Sequence, residues 1–359
     1  MANLSELYPL TRQSFWYDNI RRDLITSGEF RRLVQEEGLR GVTSNPTIFE
    51  KAVMSGNDYD ADIARLLPDH TAEEVALELM IADIRSAADV LRPVFDASDG
   101  TDGFVSLEMS PALAHDTAGT IAMAHRLSRA LDRPNAMIKI AGTRQGIAAT
   151  EECLAAGLNV NITLLFSIAD YEAVASAYLR ALEQRTDDLS RGSASVASFF
   201  VSRIDTKIDR TLPPDSPFRG KAGIANAKLA YARFRSLFSG PRWEALATRR
   251  AHLQRPLWAS TSTKDPSYPR AMYFEALLAP DTVNTMPDEL ISAIRTLPDQ
   301  AFQIRIDEDL PAAREILDRI PDFDRLVAEL QQEGLASFAR SWENLVNAIE
   351  TKRPLARTG

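Results

Sequence analysis

The chain has 359 residues, with 41 Lys and Arg against 50 Asp and Glu, a formal charge of −9, and a composition that is 45% hydrophobic and 25% charged. That profile excludes disordered, collagenous and membrane-spanning chains, and the acidic balance excludes a nucleic-acid binder, which needs a basic stripe to displace counterions from phosphates. The first thirty residues hold no apolar core of signal-peptide length, and the single cysteine, Cys153, has no partner for an internal disulfide, so a cytoplasmic enzyme or binding protein is expected.

Taken in chain order, eight short apolar runs alternate with longer stretches of helical periodicity. The first run is 14–20 and the second 41–45, followed by a long helical interval over 58–95. The third run, 104–110, precedes a helix over 116–131 that Asp116 or Thr117 is placed to cap. The fourth, 136–141, leads into a helix over 143–156, with Gly157 at the expected stop. The fifth, 159–166, precedes a helix over 168–184, and the sixth is 195–201. A Pro-rich surface loop at 212–220 and a second long helical interval, 219–250, come before the seventh and eighth runs, 256–261 and 282–287. Beyond them Phe323, Leu326, Val327, Leu330, Leu335, Phe338, Trp342, Leu345, Val346 and Ile349 form the apolar stripe of a long amphipathic helix, and 352–359 reads as a frayed tail.

Strands alternating with helices imply a parallel sheet, and eight such units close into a (β/α)8 TIM barrel without leaving an edge. A doubly wound open sheet is the alternative. The two long intervals read as helical insertions on the barrel, so residues 1–359 are expected to form a single domain with the C-terminal helix packed on it.

Lysine is the informative residue type. There are seven, and six lie in polar loops or helices; Lys139 stands between apolar neighbours in a short strand, where a parallel sheet is buried on both faces. Desolvation favours the neutral form of an amine, the form that attacks a carbonyl to make a Schiff base. The bland reading is a lysine paired with a buried carboxylate for stability alone. Strand alternation places Ser106, Glu108 and Ser110 on one face opposite Val105, Leu107 and Met109, and Asn159, Asn161 and Thr163 opposite Val160, Ile162 and Leu164. Asp18 and Asn45 continue the theme. Polar groups thus gather near the C-terminal strand ends, where barrel enzymes hold catalytic groups, and two carboxylates are available for proton transfer. No G-x-G-x-x-G or Walker sequence occurs, and His70, His115, His125 and His252 are scattered, so neither a nucleotide cofactor nor a metal is expected.

Four segments, 41–49 (GVTSNPTIF), 105–111 (VSLEMSP), 137–141 (MIKIA) and 157–167 (GLNVNITLLFS), resemble the successive signatures of the transaldolase family, in order along the chain. The resemblance implies a barrel that needs no cofactor or metal and moves a dihydroxyacetone unit between a phosphorylated ketose and a phosphorylated aldose. It assigns the Schiff base to Lys139, proton transfer to Asp18 and Glu108, and the holding of a catalytic water to Thr163. Asn45 and Asn161 correspond to substrate-binding asparagines. The segment 197–205 (ASFFVSRID) resembles the family's sixth strand, which sets Ser198 against substrate hydroxyls and Arg203 against phosphate. Segment 256–265 (PLWASTSTKD) looks like the long bacterial form of the seventh strand; shorter members carry a Ser-x-Arg there, which leaves Ser260 and Lys264 as the equivalents. Related aldolases that release free dihydroxyacetone tend to carry glutamine at the Glu108 position and tyrosine at the Phe200 position, and a catalytically silent sugar-phosphate-binding barrel would have lost Lys139 or Glu108. The chain is expected to act as a monomer or homodimer, with no nucleic-acid or membrane partner.

Overall fold

In the computed structural model, which describes residues 4–352, eight parallel strands close into a barrel in chain order. They are β1 (Gln13–Tyr17), β2 (Gly41–Thr43), β3 (Phe104–Glu108), β4 (Ala136–Ala141), β5 (Val160–Leu165), β6 (Ser195–Phe200), β7 (Arg255–Ala259) and β8 (Thr282–Met286), with β8 pairing back on β1. Helix α1 (Leu4–Thr11) precedes the barrel. After β1 come α2 (Arg22–Thr26) and α3 (Glu29–Gln35), and after β2 come α4 (Pro46–Met54), α5 (Asp60–Leu66) and α6 (Ala72–Ala97). Single helices α7 (Thr117–Leu131), α8 (Arg144–Ala155) and α9 (Ile168–Gln184) follow β3, β4 and β5. The connection after β6 holds α10 (Ser202–Ile208), α11 (Ala222–Leu237) and α12 (Gly240–Ala247); α13 (Met272–Ala276) follows β7. The chain ends in α14 (Asp288–Ile294), α15 (Leu310–Asp318) and α16 (Phe323–Thr351).

Local sequence explains the helix starts. Asn45 accepts a bond from Ile48 N with Pro46 in the first turn of α4, Asp116 accepts from Gly119 N at α7, and Thr71 with Glu74 and Ser167 with Asp170 form reciprocal capping boxes on α6 and α9. Gly157, at φ +88°, turns the chain out of α8 into β5. Along the strands Val105, Leu107, Ile138, Ile140, Val160 and Ile162 face the helices, whereas Trp16, Phe104, Met137, Val196, Leu257 and Val283 belong to a separate cluster inside the barrel. The alternation read from sequence therefore gives the inner and outer faces of β3 and, as far as Ile162, of β5.

Three details depart from that reading. Strict alternation puts Leu164 among the outer residues, but it sits at φ +62° where the β5–β6 register shifts, and this bulge turns it into the inner cluster beside Phe166 and Phe200. Within the two long intervals, α6 and α11 are themselves crossover helices, packed on β3 and β7; the added pieces there are the short α5 and α12. Lys352 is held at Asp60 and donates to the Val53 carbonyl, so it is no loose end; 353–359 lie outside the described residues.

Helix α16 bridges both clusters. Leu326, Val327, Leu330, Leu335 and Phe338 pack into the inner one, and Trp342, Leu345 and Ile349 into the outer one against α4 and α6. Gln331 Nε2 donates to the carbonyls of Gly142 and Leu164 at the C-terminal ends of β4 and β5, so the helix crosses the mouth of the barrel. Gly334 permits this approach, since a Cβ there would stand 2.8 Å from Leu164 Cδ2.

Candidate active site

The C-terminal ends of the strands surround a cleft of about 550 Å³. Asp18, Asn45, Lys139, Ser198, Phe200, Arg203, Ser260 and Lys264 all line it. Their positions follow from the strand ends: Asp18 comes one residue after β1, Asn45 two after β2, and Lys139 and Ser198 point inward from β4 and β6. A larger surface groove of about 1190 Å³ between α9, α15 and α16 includes none of them and no strand end.

Lys139 is 5% exposed. Its Nζ donates to the Ser44 carbonyl at 3.0 Å and lies 3.0 Å from Glu108 Oε2, across the register pair that joins β3 to β4. Glu108 Oε2 is buried, and Lys139 is the one donor close to it among the described residues. Ser44 is fixed in turn by donation from its hydroxyl to the Ser106 carbonyl at 2.7 Å. Lys139 thus forms the wall between the cleft and a recess of about 20 Å³ that reaches Glu108 and is roofed by Leu335 and Phe338; that volume is roughly the space of one water.

The two carboxyls share one electrostatic character. Burial raises Glu108 above the ordinary glutamate range, against the opposing pull of Lys139 and then Arg203. Burial likewise raises Asp18, against Lys139, the hydroxyl of Thr43 and Lys264. Thr43 donates to Asp18 Oδ1 at 3.0 Å, and its hydroxyl lies 2.6 Å from that of Thr285. A carboxyl held this way accepts and returns a proton more readily than a solvated one.

Asn161 and Thr163 lie beneath the cleft and do not line it. The Asn161 amide bridges Ser106 Oγ at 3.0 Å and the Ser198 hydroxyl at 2.7 Å, a buried chain that ties β3, β5 and β6 below Lys139. Thr163 Oγ1 is buried without a protein partner. Asn45 caps α4 with its side-chain oxygen, so capping already explains much of its placement.

On the other side Arg203 lies over the rings of Phe200, at 5.1 Å, and Phe338, at 5.8 Å. Burial disfavours its charge, and Glu108 and Asp18 support it. It forms no ion pair among the described residues. Lys264 is exposed and donates to Ser262 Oγ at 3.1 Å, while the hydroxyls of Ser260 and Ser202 lie 2.9 Å apart. Sequence reasoning missed Thr43, Thr285 and Phe338. Thr43 sits two residues before Asn45 and could have been reached by the same alternation; Phe338 was visible only as one member of an apolar stripe.

Among the described residues no three His, Cys, Asp or Glu side chains are gathered as a metal site would need, and no helix is long and apolar enough to cross a membrane. Cys153 is a buried free thiol pushed up to about 12 by burial, far from thiolate chemistry.

Comparison with known proteins agrees with this geometry. The sequence model of the family described as Transaldolase/Fructose-6-phosphate aldolase matches residues 15–349. Transaldolase 2 of Streptomyces avermitilis is 44% identical over 356 residues, covering 94% of each chain. Transaldolase 2 of Nostoc sp. is 42% identical with 95% of each chain covered, and the transaldolase of Thermobifida fusca is 45% identical, covering 93% of this chain and 94% of its own. A matched barrel, a buried lysine beside a buried carboxylate and relatives aligned over almost the whole length make this chain a member of the transaldolase/fructose-6-phosphate aldolase family.

Proposed function

We propose that this chain is a transaldolase, exchanging a dihydroxyacetone unit between sedoheptulose 7-phosphate and glyceraldehyde 3-phosphate to give erythrose 4-phosphate and fructose 6-phosphate. The observation that carries the reading is Lys139, buried at the strand ends with Glu108 3.0 Å from its amine and a cleft with a basic rim before it. The same reading makes residues 1–359 one catalytic domain.

The Lys139 amine adds to the ketose C2 carbonyl, and the resulting carbinolamine loses water as Glu108 supplies the proton to the departing hydroxyl. Asp18 then takes the proton of the C4 hydroxyl while the C3–C4 bonding electrons move into the iminium. An aldose phosphate leaves and a three-carbon enamine stays on Lys139. Addition of this enamine to the carbonyl of a new aldose, with Asp18 returning its proton to the forming hydroxyl, and hydrolysis of the iminium complete the transfer. Thr163 presents a buried hydroxyl without a protein partner that can hold the water of the dehydration and hydrolysis steps beside Glu108. Arg203 and Lys264 bind the phosphoryl group through charge-assisted hydrogen bonds, with Ser198, Ser260 and Asn45 ordering the hydroxyls and Asn161 acting through Ser198. Phe200 presents an apolar ring that gives water no partner beside the intermediate.

Borohydride reduction in the presence of fructose 6-phosphate tests the reading. A three-carbon adduct located by peptide mass on Lys139 is expected. An adduct on Lys264 or Lys51, or turnover without any adduct, overturns it.

A further inference from the structure

Of the cations that line the cleft beside Lys139, namely Arg21, Lys51, Arg203 and Lys264, the last two arrive from neighbouring connections, Arg203 on α10 after β6 and Lys264 on the loop after β7. At the strand tops these connections touch: Val201 N donates to the Ala259 carbonyl and Ser202 N to the Ser260 carbonyl, each at 3.0 Å. A second junction lies farther out, behind Arg203. Asp209, 8% exposed at the C-terminal end of α10, accepts from Gly220 N at 3.0 Å and from the Tyr268 hydroxyl at 2.7 Å. Arg219 donates to the Asp209 carbonyl at 2.6 Å, and its far nitrogen stands 4.0 Å from Asp265, the neighbour of Lys264. Gly220 sits at φ +67°, and a Cβ there would come within 2.8 Å of the Tyr268 ring. One turn earlier on α10, Asp205 repeats the pattern with Gly223 N at 2.8 Å and the Tyr273 hydroxyl at 2.9 Å.

Asp205, Asp209, Arg219, Asp265, Tyr268 and Tyr273 do not line the cleft. The proposed mechanism gives them no work, and buried carboxylates behind a phosphate-binding arginine weaken its field. Their placement makes sense as geometry. Hydroxyl and amide donors fix α10 and the loop without offering Arg203 a carboxylate to pair with, so the guanidinium stays available to an anion.

We propose that Asp209 and Tyr268 are positioning residues that lock the Arg203-bearing helix to the Lys264-bearing loop, so that both cations meet the phosphoryl group as one pre-set clamp. This rests on the reading of Arg203 and Lys264 as phosphate ligands. The test is Tyr268→Phe in the full chain, assayed with fructose 6-phosphate as donor, with the unphosphorylated pair dihydroxyacetone and glyceraldehyde, and for inhibition by inorganic phosphate.

The expected result is a rise of about tenfold in KM for fructose 6-phosphate and in the phosphate inhibition constant together, with kcat and the unphosphorylated reaction within about twofold. Asp265→Asn, a partly exposed change that removes the Arg219 contact, should move both constants the same way by less; it carries the test if Tyr268→Phe melts. Equal losses on both reactions, or unchanged KM and inhibition in folded variants, overturn the proposal. If inorganic phosphate does not inhibit the unaltered enzyme while borohydride still traps Lys139, the clamp falls with its premise and the Schiff-base reading stands.

Discussion

Glu108 occupies a position that either stability or catalysis could explain, since a buried lysine needs a carboxylate in any case. The two roles separate under Glu108→Gln. The amide keeps the shape and one acceptor oxygen but cannot donate the carbinolamine proton, so kcat should fall by ~10²–10⁴-fold while ketose affinity changes little. Steady-state kinetics beside a thermal melt reads this; a variant that melts early yet turns over normally per folded molecule would make Glu108 a structural partner of Lys139. Phe200 poses a different question, because its ring packs tilted against Phe166 with centroids 5.2 Å apart and also lines the cleft. Phe200→Tyr adds a hydroxyl able to bring water or a proton to the intermediate, and should raise release of free dihydroxyacetone from fructose 6-phosphate without acceptor while Lys139 trapping persists. An unchanged release rate means that the ring only packs.

At the scale of elements, α10 carries a titratable strut. Burial pushes the Asp205 carboxyl up to about 6 from an ordinary 3.8, despite the bonds from Gly223 and Tyr273. The fold therefore favours the protonated form, so this group's stabilising contribution is complete below the unfolded value and is lost as pH rises through about 6. Between about pH 5 and about pH 7.5 the loss is about 1 kcal/mol. Urea unfolding at the two pH values should show the unaltered protein losing that much relative to Asp205→Asn, and parallel behaviour of the two would refute the assignment. The eight strands and most helices were legible because periodicity and caps are local properties. Asp18, Glu108 and Lys139 were legible for the same reason, as inward positions near strand ends. Leu164 was not, because a bulge breaks the count of two without leaving a mark in the residue types. The stripe on α16 told that the helix buries one face but not against what, so Leu335 and Phe338 over the recess could not be placed. The Asp209–Tyr268 bond joins residues 59 apart through a fold that had first to be known.

The whole molecule divides its two tasks between the ends of the barrel. At the end opposite Lys139, Asp102, 1% exposed, accepts from Ser14 Oγ, from Trp16 Nε1 at 2.9 Å and from Arg40 at 2.7 Å, with Arg255 at 3.3 Å. Asp102→Ala would leave the partly buried Arg40 guanidinium and the Trp16 indole without their acceptor, while Arg255 keeps Ser14 Oγ and the Thr101 carbonyl, and should cost about 2–3 kcal/mol in urea unfolding. The kcat per trapped Lys139 site should be unaltered; a fall in kcat would mean that the two ends communicate. At the other end the mouth is finished by α16, and this orders events in time. The last strand ends at Met286, whereas the residues that roof the recess, Leu335 and Phe338, come some fifty positions later. A chain growing at about 5–20 residues per second adds Phe338 about 2–10 s after Met286, so every strand is synthesised before those side chains exist. Barrel closure and competence to hold a ketose are thus separate moments in the synthesis of each molecule, and a nascent chain that has folded its sheet still has an open, water-filled mouth until its final helix settles across it.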